Sequence, residues 1–219
     1  MSKTEREKII ERKVLFVDFN GVISYDTFWA SIQKTDHPLH SFYEPIEELL
    51  FVGENRIKGL VDEWMLGEFT SEKVHQIIVD NLGAPYQELF DIFVEDCKRL
   101  DISRPILQSI QALRKDWYCV LRTDNMDTFH RFTLPANPYL AEAFDEVHSS
   151  YLLRQLKKSD GGAYYTETVK NLNSEINNCV LIDDSLSNCR LFEKLGGRAY
   201  CPRGETEVIS ALENLRTKI

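Results

Sequence analysis

Three polar clusters hold the residues of this chain that could do chemistry, and each follows a short apolar run. Val14-Leu15-Phe16-Val17 leads into Asp18-Phe19-Asn20-Gly21, Tyr118–Leu121 into Arg122-Thr123-Asp124-Asn125, and Cys179–Ile182 into Asp183-Asp184-Ser185. A carboxylate at the end of a strand, such as Asp18, can attack phosphorus and form an aspartyl phosphate, bind a metal, or cap a turn, since Asp-X-Asn-Gly is also a turn sequence. Adjacent carboxylates such as Asp183 and Asp184 repel one another unless a cation or hydrogen bonds offset the charge. Hard oxygen ligands and few anchoring carboxylates suit Mg²⁺, which keeps several waters and bridges to phosphate; the competing reading is a solvated loop with Asp184 capping a helix that starts near Leu186. Thr123 either holds a phosphoryl oxygen or caps a turn. Among Arg154, Lys157 and Lys158, one lysine reaching into a cleft would neutralise a transferring phosphoryl group, while the others form a solvated face.

The three apolar runs read as buried parallel strands, because continuous apolar segments of this length fit strands covered on both faces. Helical spacing appears between them. Pro105 to Leu113 has apolar positions on one face with Ser103 as N-cap, and Leu186 to Leu195 is stopped by Gly196-Gly197. Strands alternating with helices predict an α/β fold, a Rossmann-like three-layer core around a parallel sheet. Ligands of such sheets bind beyond the C-terminal ends of the strands, so the three clusters can converge on one cleft.

The interval from Ser24 to Leu100 breaks this rhythm. Pro45 to Phe51, Arg56 to Leu66, Ser71 to Asn81 and Tyr86 to Arg99 all fit amphipathic helices, with a start at Thr70-Ser71-Glu72-Lys73 and a break at Gly83-Ala84-Pro85. The expected organisation is a core of residues 1–23 and 101–219 with a helical insertion of residues 24–100. Tyr25, Phe28, Trp29 and Trp64 either line the cleft or pack inside the insertion.

Bulk properties narrow the classes of function. The chain has 219 residues and a net charge of −9, from 35 acidic against 26 Lys and Arg residues. That balance argues against a nucleic-acid partner, which demands a basic face; a small anionic substrate remains compatible, since a metal and local cations can reverse the field in a cleft. The five cysteines form no CxxC or Cys/His cluster, which suits structural thiols in a reducing compartment. The five histidines have no zinc-ligand spacing and read as surface or boundary residues. Met1 to Lys13 is charged and lacks the apolar stretch of a signal peptide, and no run approaches the ~20 apolar residues of a membrane helix. The expectation is a soluble cytoplasmic protein with no membrane partner.

The order of the clusters resembles the haloacid dehalogenase (HAD) superfamily over nearly the whole chain. Asp18-Phe19-Asn20-Gly21-Val22-Ile23 is similar to its Asp-X-Asp-Gly motif, and Leu121-Arg122-Thr123-Asp124-Asn125 stands in the place of its Ser/Thr motif. Ser149-Ser150 followed by Lys158-Ser159-Asp160 and Tyr164 resembles its Lys-Pro-Asp motif, with Ser159 at the proline position. Leu181 to Asn188 resembles its acidic motif, and Trp64 through Lys73 resembles a turn of its first, helical cap class. The resemblance implies a Mg²⁺-dependent phosphatase acting on a small phosphorylated metabolite. In it Asp18 is the nucleophile. Mg²⁺ is held by Asp18, the Asn20 carbonyl and Asp184, while Asp183 orients a metal-bound water. Thr123 and Lys158 bind the phosphoryl group, with Asp124 and Asn125 beside them and Lys157 as the alternative lysine.

Asn20 departs from the pattern. Family phosphatases have an aspartate there, which protonates the leaving group and then deprotonates the attacking water. An amide does neither, and losing a general acid/base costs ~10²–10⁴-fold. Two other readings follow. One is a catalytically silent fold that binds a phosphorylated ligand or a protein; the other is a metal-independent 2-haloacid dehalogenase, whose Asp-X-Tyr-Gly-Thr motif this chain lacks.

Overall fold

The computed structural model describes residues 13–54 and 56–216. Met1 to Arg12 of the charged N-terminal stretch lie outside the described residues. Five parallel strands form one sheet in the order β3-β2-β1-β4-β5: β1 Lys13–Val17, β2 Trp117–Thr123, β3 Glu146–Ser149, β4 Cys179–Ile182 and β5 Arg198–Tyr200. β1, β2 and β4 correspond to the three apolar runs and occupy the centre of the sheet. β3 and β5 lie at its edges and are only partly buried, so they carry Glu146, His148 and Arg198 and lack a continuous apolar run.

Side-chain alternation along the strands builds two cores. Leu15 and Val17 of β1 pack with Leu121, Ile182 and the helices Arg104–Leu113 and Glu205–Arg216 on one face. Val14 and Phe16 pack with Val120, Leu181 and the helices Ala163–Asn171 and Leu186–Lys194 on the other. The result is the expected three-layer α/β arrangement. Ser103 caps its helix, its hydroxyl accepting from the Ile106 N–H at 3.3 Å.

Between β1 and β2 the chain is helical and has its own hydrophobic cluster, centred on Trp29, Trp64, Ile78, Leu89 and Phe93. Its principal helices are Leu60–Met65, Ser71–Leu82 and Tyr86–Lys98. The first is shorter than the Arg56 to Leu66 expected, because Gly59 adopts φ 83°, a left-handed conformation that ends helical propagation toward the N-terminus. Pro45 to Phe51 is helical, but divided: Tyr43–Glu47 is an α-turn that widens into a π-helical turn over Glu48–Val52. Trp29 and Trp64 are fully buried in this cluster, whereas Tyr25 is exposed. His75 corrects the expectation for the histidines: it is fully buried among Trp29, Phe90 and Phe93 and faces the Ser71 carbonyl at 2.8 Å through Nδ1. That burial pushes its pKa down to about 4.

The two chain passages that frame the helical interval lie side by side. Ser24 pairs with Ile102 in an antiparallel bridge, and the Ser103 N–H donates to the Ile23 carbonyl at 2.9 Å.

Candidate active site

The site forms where the strand order reverses. The chain runs from β1 to β2 and β3 on one side, then returns to place β4 on the other side of β1. A crevice opens at such a reversal beyond the C-terminal ends of the strands. Asp18 follows β1 directly, Asp183 follows β4, and the Asp18 N–H donates to the Ile182 carbonyl at 2.9 Å, which locks the two strand ends together. Ligand oxygens of Asp18, Asp183 and Asp184 all lie within 4.8 Å of one another.

Lys157 is the cation of this cluster. Its Nζ lies 2.6 Å from Asp18 Oδ2 and 2.8 Å from Asp183 Oδ2, in a buried position. Lys158, the residue expected here, is exposed. The choice between the neighbouring lysines is made by the backbone: the Lys157 N–H donates to both oxygens of Asp124, at 3.0 and 3.1 Å, which turns the Lys157 side chain inward. The Ser159 hydroxyl accepts from the Leu156 N–H at 3.1 Å and fixes the preceding turn. Asp124, expected at the phosphoryl group, instead supports this loop. Its carboxylate also pairs with the Arg122 guanidinium at 3.1 Å. Arg122 is fully buried, donates to the Gln155 carbonyl at 2.7 Å and lies over the Tyr164 ring. A charged residue inside an apolar strand, immediately before Thr123, was the sequence signal for this platform.

Asp183 is held by the Ser185 N–H at 2.9 Å and by the Asn188 amide at 3.0 and 3.1 Å. The polar residue at 188 in the acidic motif therefore serves the first aspartate of the pair. Ser185, rather than Asp184, is the residue that precedes the Leu186–Lys194 helix as its N-cap. Asp184 stays exposed and turns back toward Gly21. A Cβ on Gly21 would sit 2.3 Å from Asp184 Oδ2, and Gly21 has φ 75°. Glycine is required twice over, by the turn and by the carboxylate that packs against it.

The electrostatics show a cluster short of positive charge. Burial pushes the Asp18 pKa up to about 7; Asp183 adds to this and Lys157 opposes it. Burial and the neighbouring Asp183 also raise Asp184. Burial works against the charge on Lys157, but Asp18, Asp183 and Asp124 outweigh it and hold the ammonium above its usual range. Among the described residues, three clustered carboxylates thus have one ammonium between them, paired with two of the three. An all-oxygen donor set with excess negative charge fits a hard divalent cation such as Mg²⁺.

Thr123 ends β2, and its Oγ1 is buried without a hydrogen-bond partner among the described residues. A buried hydroxyl left unsatisfied costs roughly 1–3 kcal/mol, so an acceptor or donor supplied by a ligand would relieve it. Asn125 touches Asn20: its amide Nδ2 donates to Asn20 Oδ1 at 2.9 Å. Its own N–H donates to Ser150 Oγ at 3.0 Å, and Ser150 Oγ donates in turn to the Met65 carbonyl at 2.8 Å. The site is linked in this way to the helical interval.

Asp127 makes the larger link and had no sequence signal. It is fully buried and accepts from Trp64 Nε1 at 2.8 Å, Ser71 Oγ at 2.6 Å, the Ser71 N–H at 3.1 Å and Arg131 at 2.6 Å. Its main partners lie 56 and 63 residues away in sequence.

No family model matches the sequence, and no curated protein matches it. Solved structures do. A HAD family enzyme from Bacteroides thetaiotaomicron, in complex with magnesium and inorganic phosphate, is 18% identical with a TM-score of 0.65, over 87% of this chain and 94% of that one. A predicted HAD-like family hydrolase from Porphyromonas gingivalis is 22% identical with a TM-score of 0.69, over 94% and 98%. A 2-haloacid dehalogenase from Pseudomonas syringae is 16% identical with a TM-score of 0.61, over 95% and 99%. With the parallel sheet and the carboxylates at its strand ends, these likenesses give the chain the haloacid dehalogenase-like fold.

Proposed function

We propose that this protein is a Mg²⁺-dependent phosphohydrolase that transfers the phosphoryl group of a small phosphorylated metabolite to Asp18. The observation that carries the reading is the Asp18–Lys157–Asp183 cluster, with Asp184 and the unsatisfied Thr123 hydroxyl beside it. The likeness to a HAD enzyme holding magnesium and phosphate supports it. Asp18 attacks phosphorus. Thr123 Oγ1 and the Lys157 ammonium hold phosphoryl oxygens, Lys157 having replaced Lys158 in this role. Asp18, Asp184 and the Asn20 carbonyl would hold Mg²⁺, with Asp183 orienting its water. The ion would supply charge neutralisation for the phosphoryl group. Residues 24–100 act as a cap over a core of residues 1–23 and 101–219, and exclude water when seated.

Asn20 limits turnover. It can neither protonate a leaving group nor deprotonate water, so hydrolysis of the aspartyl phosphate is the step that suffers most. Phosphate release from a panel of phosphate esters, with and without Mg²⁺, tests the reading on the native chain and on Asn20→Asp in parallel. Mg²⁺-dependent release is expected from both, and Asn20→Asp is faster by ~10²-fold or more on its best alkyl ester. Inertness of both proteins across the panel overturns it.

The same Asn20 favours a second reading, a silent fold that binds a phosphorylated ligand. Thermal stabilisation by such ligands, with no turnover even in Asn20→Asp, would select it. The intact Asp18, Thr123 and Asp183-Asp184 favour the hydrolase.

A further inference from the structure

Which way the Asn20 amide faces is decided by its neighbours. Asn125 has one carbonyl oxygen and one NH₂ on its side chain, and the oxygen is committed to the Met126 N–H at 2.9 Å. Its NH₂ therefore faces Asn20, and Asn20 must answer with its oxygen. The Asn20 NH₂ is left with no protein partner among the described residues. Between Asp18 and Asn20, Phe19 points into the hydrophobic core against Phe129. Asp18 and Asn20 lie outside that core, and the Asn20 side chain turns to Asn125 in the strand-end cluster that also holds Thr123. Asn20 is half-buried there, so its NH₂ is open to a ligand.

We propose that Asn125 is a positioning residue that presents the Asn20 NH₂ to the leaving-group oxygen of the substrate, and that the substrate is therefore a phosphate whose leaving group departs as a stable anion, such as an acyl phosphate. The inference rests on the phosphohydrolase reading above. In the first step the bond between phosphorus and the leaving oxygen breaks, its electron pair stays on that oxygen, and a bond forms between phosphorus and Asp18. No proton moves. The NH₂ stabilises the departing carboxylate by a hydrogen bond, which an amide can give, and does not protonate it, which an amide cannot do. An alkoxide leaving group needs that proton, so alkyl phosphates are disfavoured by chemistry rather than by shape. In the second step water adds to phosphorus, the Asp18 carboxylate is released, and both protons of the water leave on inorganic phosphate.

The test measures kcat/KM, which reports Asp18 phosphorylation whatever the rate of later hydrolysis. Acetyl phosphate, 4-nitrophenyl phosphate and glycerol phosphate are compared with Mg²⁺ present. In the native protein acetyl phosphate is the best of the three and glycerol phosphate the poorest. Asn20→Asp raises kcat/KM on glycerol phosphate by on the order of 10²-fold or more and changes acetyl phosphate by less than about tenfold. Asn125→Asp offers Asn20 only acceptors while still satisfying the Met126 N–H, so the Asn20 amide turns around. Its kcat/KM on acetyl phosphate falls about tenfold with the melting temperature unchanged. That fall disappears in an Asn20→Ala background, whereas a general effect of the added charge would persist there.

Equal kcat/KM on all three substrates in the native protein overturns the substrate class and leaves the phosphohydrolase reading standing, as does activity seen only in Asn20→Asp. A fall for Asn125→Asp that persists in the Asn20→Ala background overturns the positioning role. No Mg²⁺-dependent release by any variant overturns the phosphohydrolase reading itself.

Discussion

Asp127 and Asp18 are both buried carboxylates near the C-terminal end of the sheet, and they are served very differently. Asp127 receives four hydrogen bonds, from Trp64, twice from Ser71, and from Arg131. Asp18 receives the Phe19 N–H at 2.7 Å and one ammonium that it shares with Asp183. Its pKa rises to about 7, chiefly through burial. A carboxylate whose oxygens are fully subscribed holds structure together. One buried without enough partners is kept at a cost to stability and is open to a ligand.

Substitution of each carboxylate separates the two roles. The largest effect is expected from Asp18→Asn. Phosphate release should fall by on the order of 10⁴-fold or more, as for loss of a nucleophile, while urea denaturation at neutral pH without Mg²⁺ shows stability unchanged or raised, because the amide removes a poorly compensated charge. A clear loss of stability would erase the contrast with Asp127. Asp127→Ala should do the opposite to the fold. Three donors of the helical interval are stranded, Trp64 Nε1 and the Ser71 hydroxyl and N–H, while Arg131 keeps Glu72, and a buried donor left unsatisfied costs about 1–3 kcal/mol. A denaturation midpoint equal to that of the native chain would show that these hydrogen bonds contribute nothing net.

A smaller effect comes from His75, which joins the Asp127 network through the Ser71 carbonyl. Its pKa lies near 4 in the folded protein, below the ordinary histidine value of 6.5. Between these values the unfolded chain binds a proton that the folded chain refuses, so stability falls as pH is lowered from about 6.5 to about 4, by up to about 3 kcal/mol. His75→Phe should remove that part of the slope in denaturation curves taken across the window. An unchanged slope would assign the acid sensitivity to other groups.

The strand-end carboxylates were legible in the sequence because an apolar run that ends in Asp leaves little choice of where the acid goes. Asp18 and Asp183 follow from that pattern, and so do the three central strands. β3 and β5 did not, since an edge strand tolerates Glu146 or Arg198 and loses the apolar signature. Lys157 and Lys158 are chemically identical neighbours, and the hydrogen bonds that the Lys157 N–H donates to Asp124 decide between them. Asp124 was misplaced for the same reason: its oxygens are used by Arg122 and a loop 33 residues on. Asp127 and His75 were invisible because their surroundings assemble from distant segments. Position in sequence records neither.

The pairing of Ser24 with Ile102 has a further consequence. Both ends of the helical interval are fastened to each other by the backbone in the folded chain. Closing a loop costs little more as it lengthens, about 0.6 kcal/mol per doubling, and here the ends are already together. A helical segment of another length could be spliced between these two residues, provided it still offers Asp127 the donors that Trp64 and Ser71 supply. The helical interval is thus joined to the rest of the chain twice, by a backbone seam at Ser24 and Ile102 that is indifferent to its composition and by a lock at Asp127 that is not.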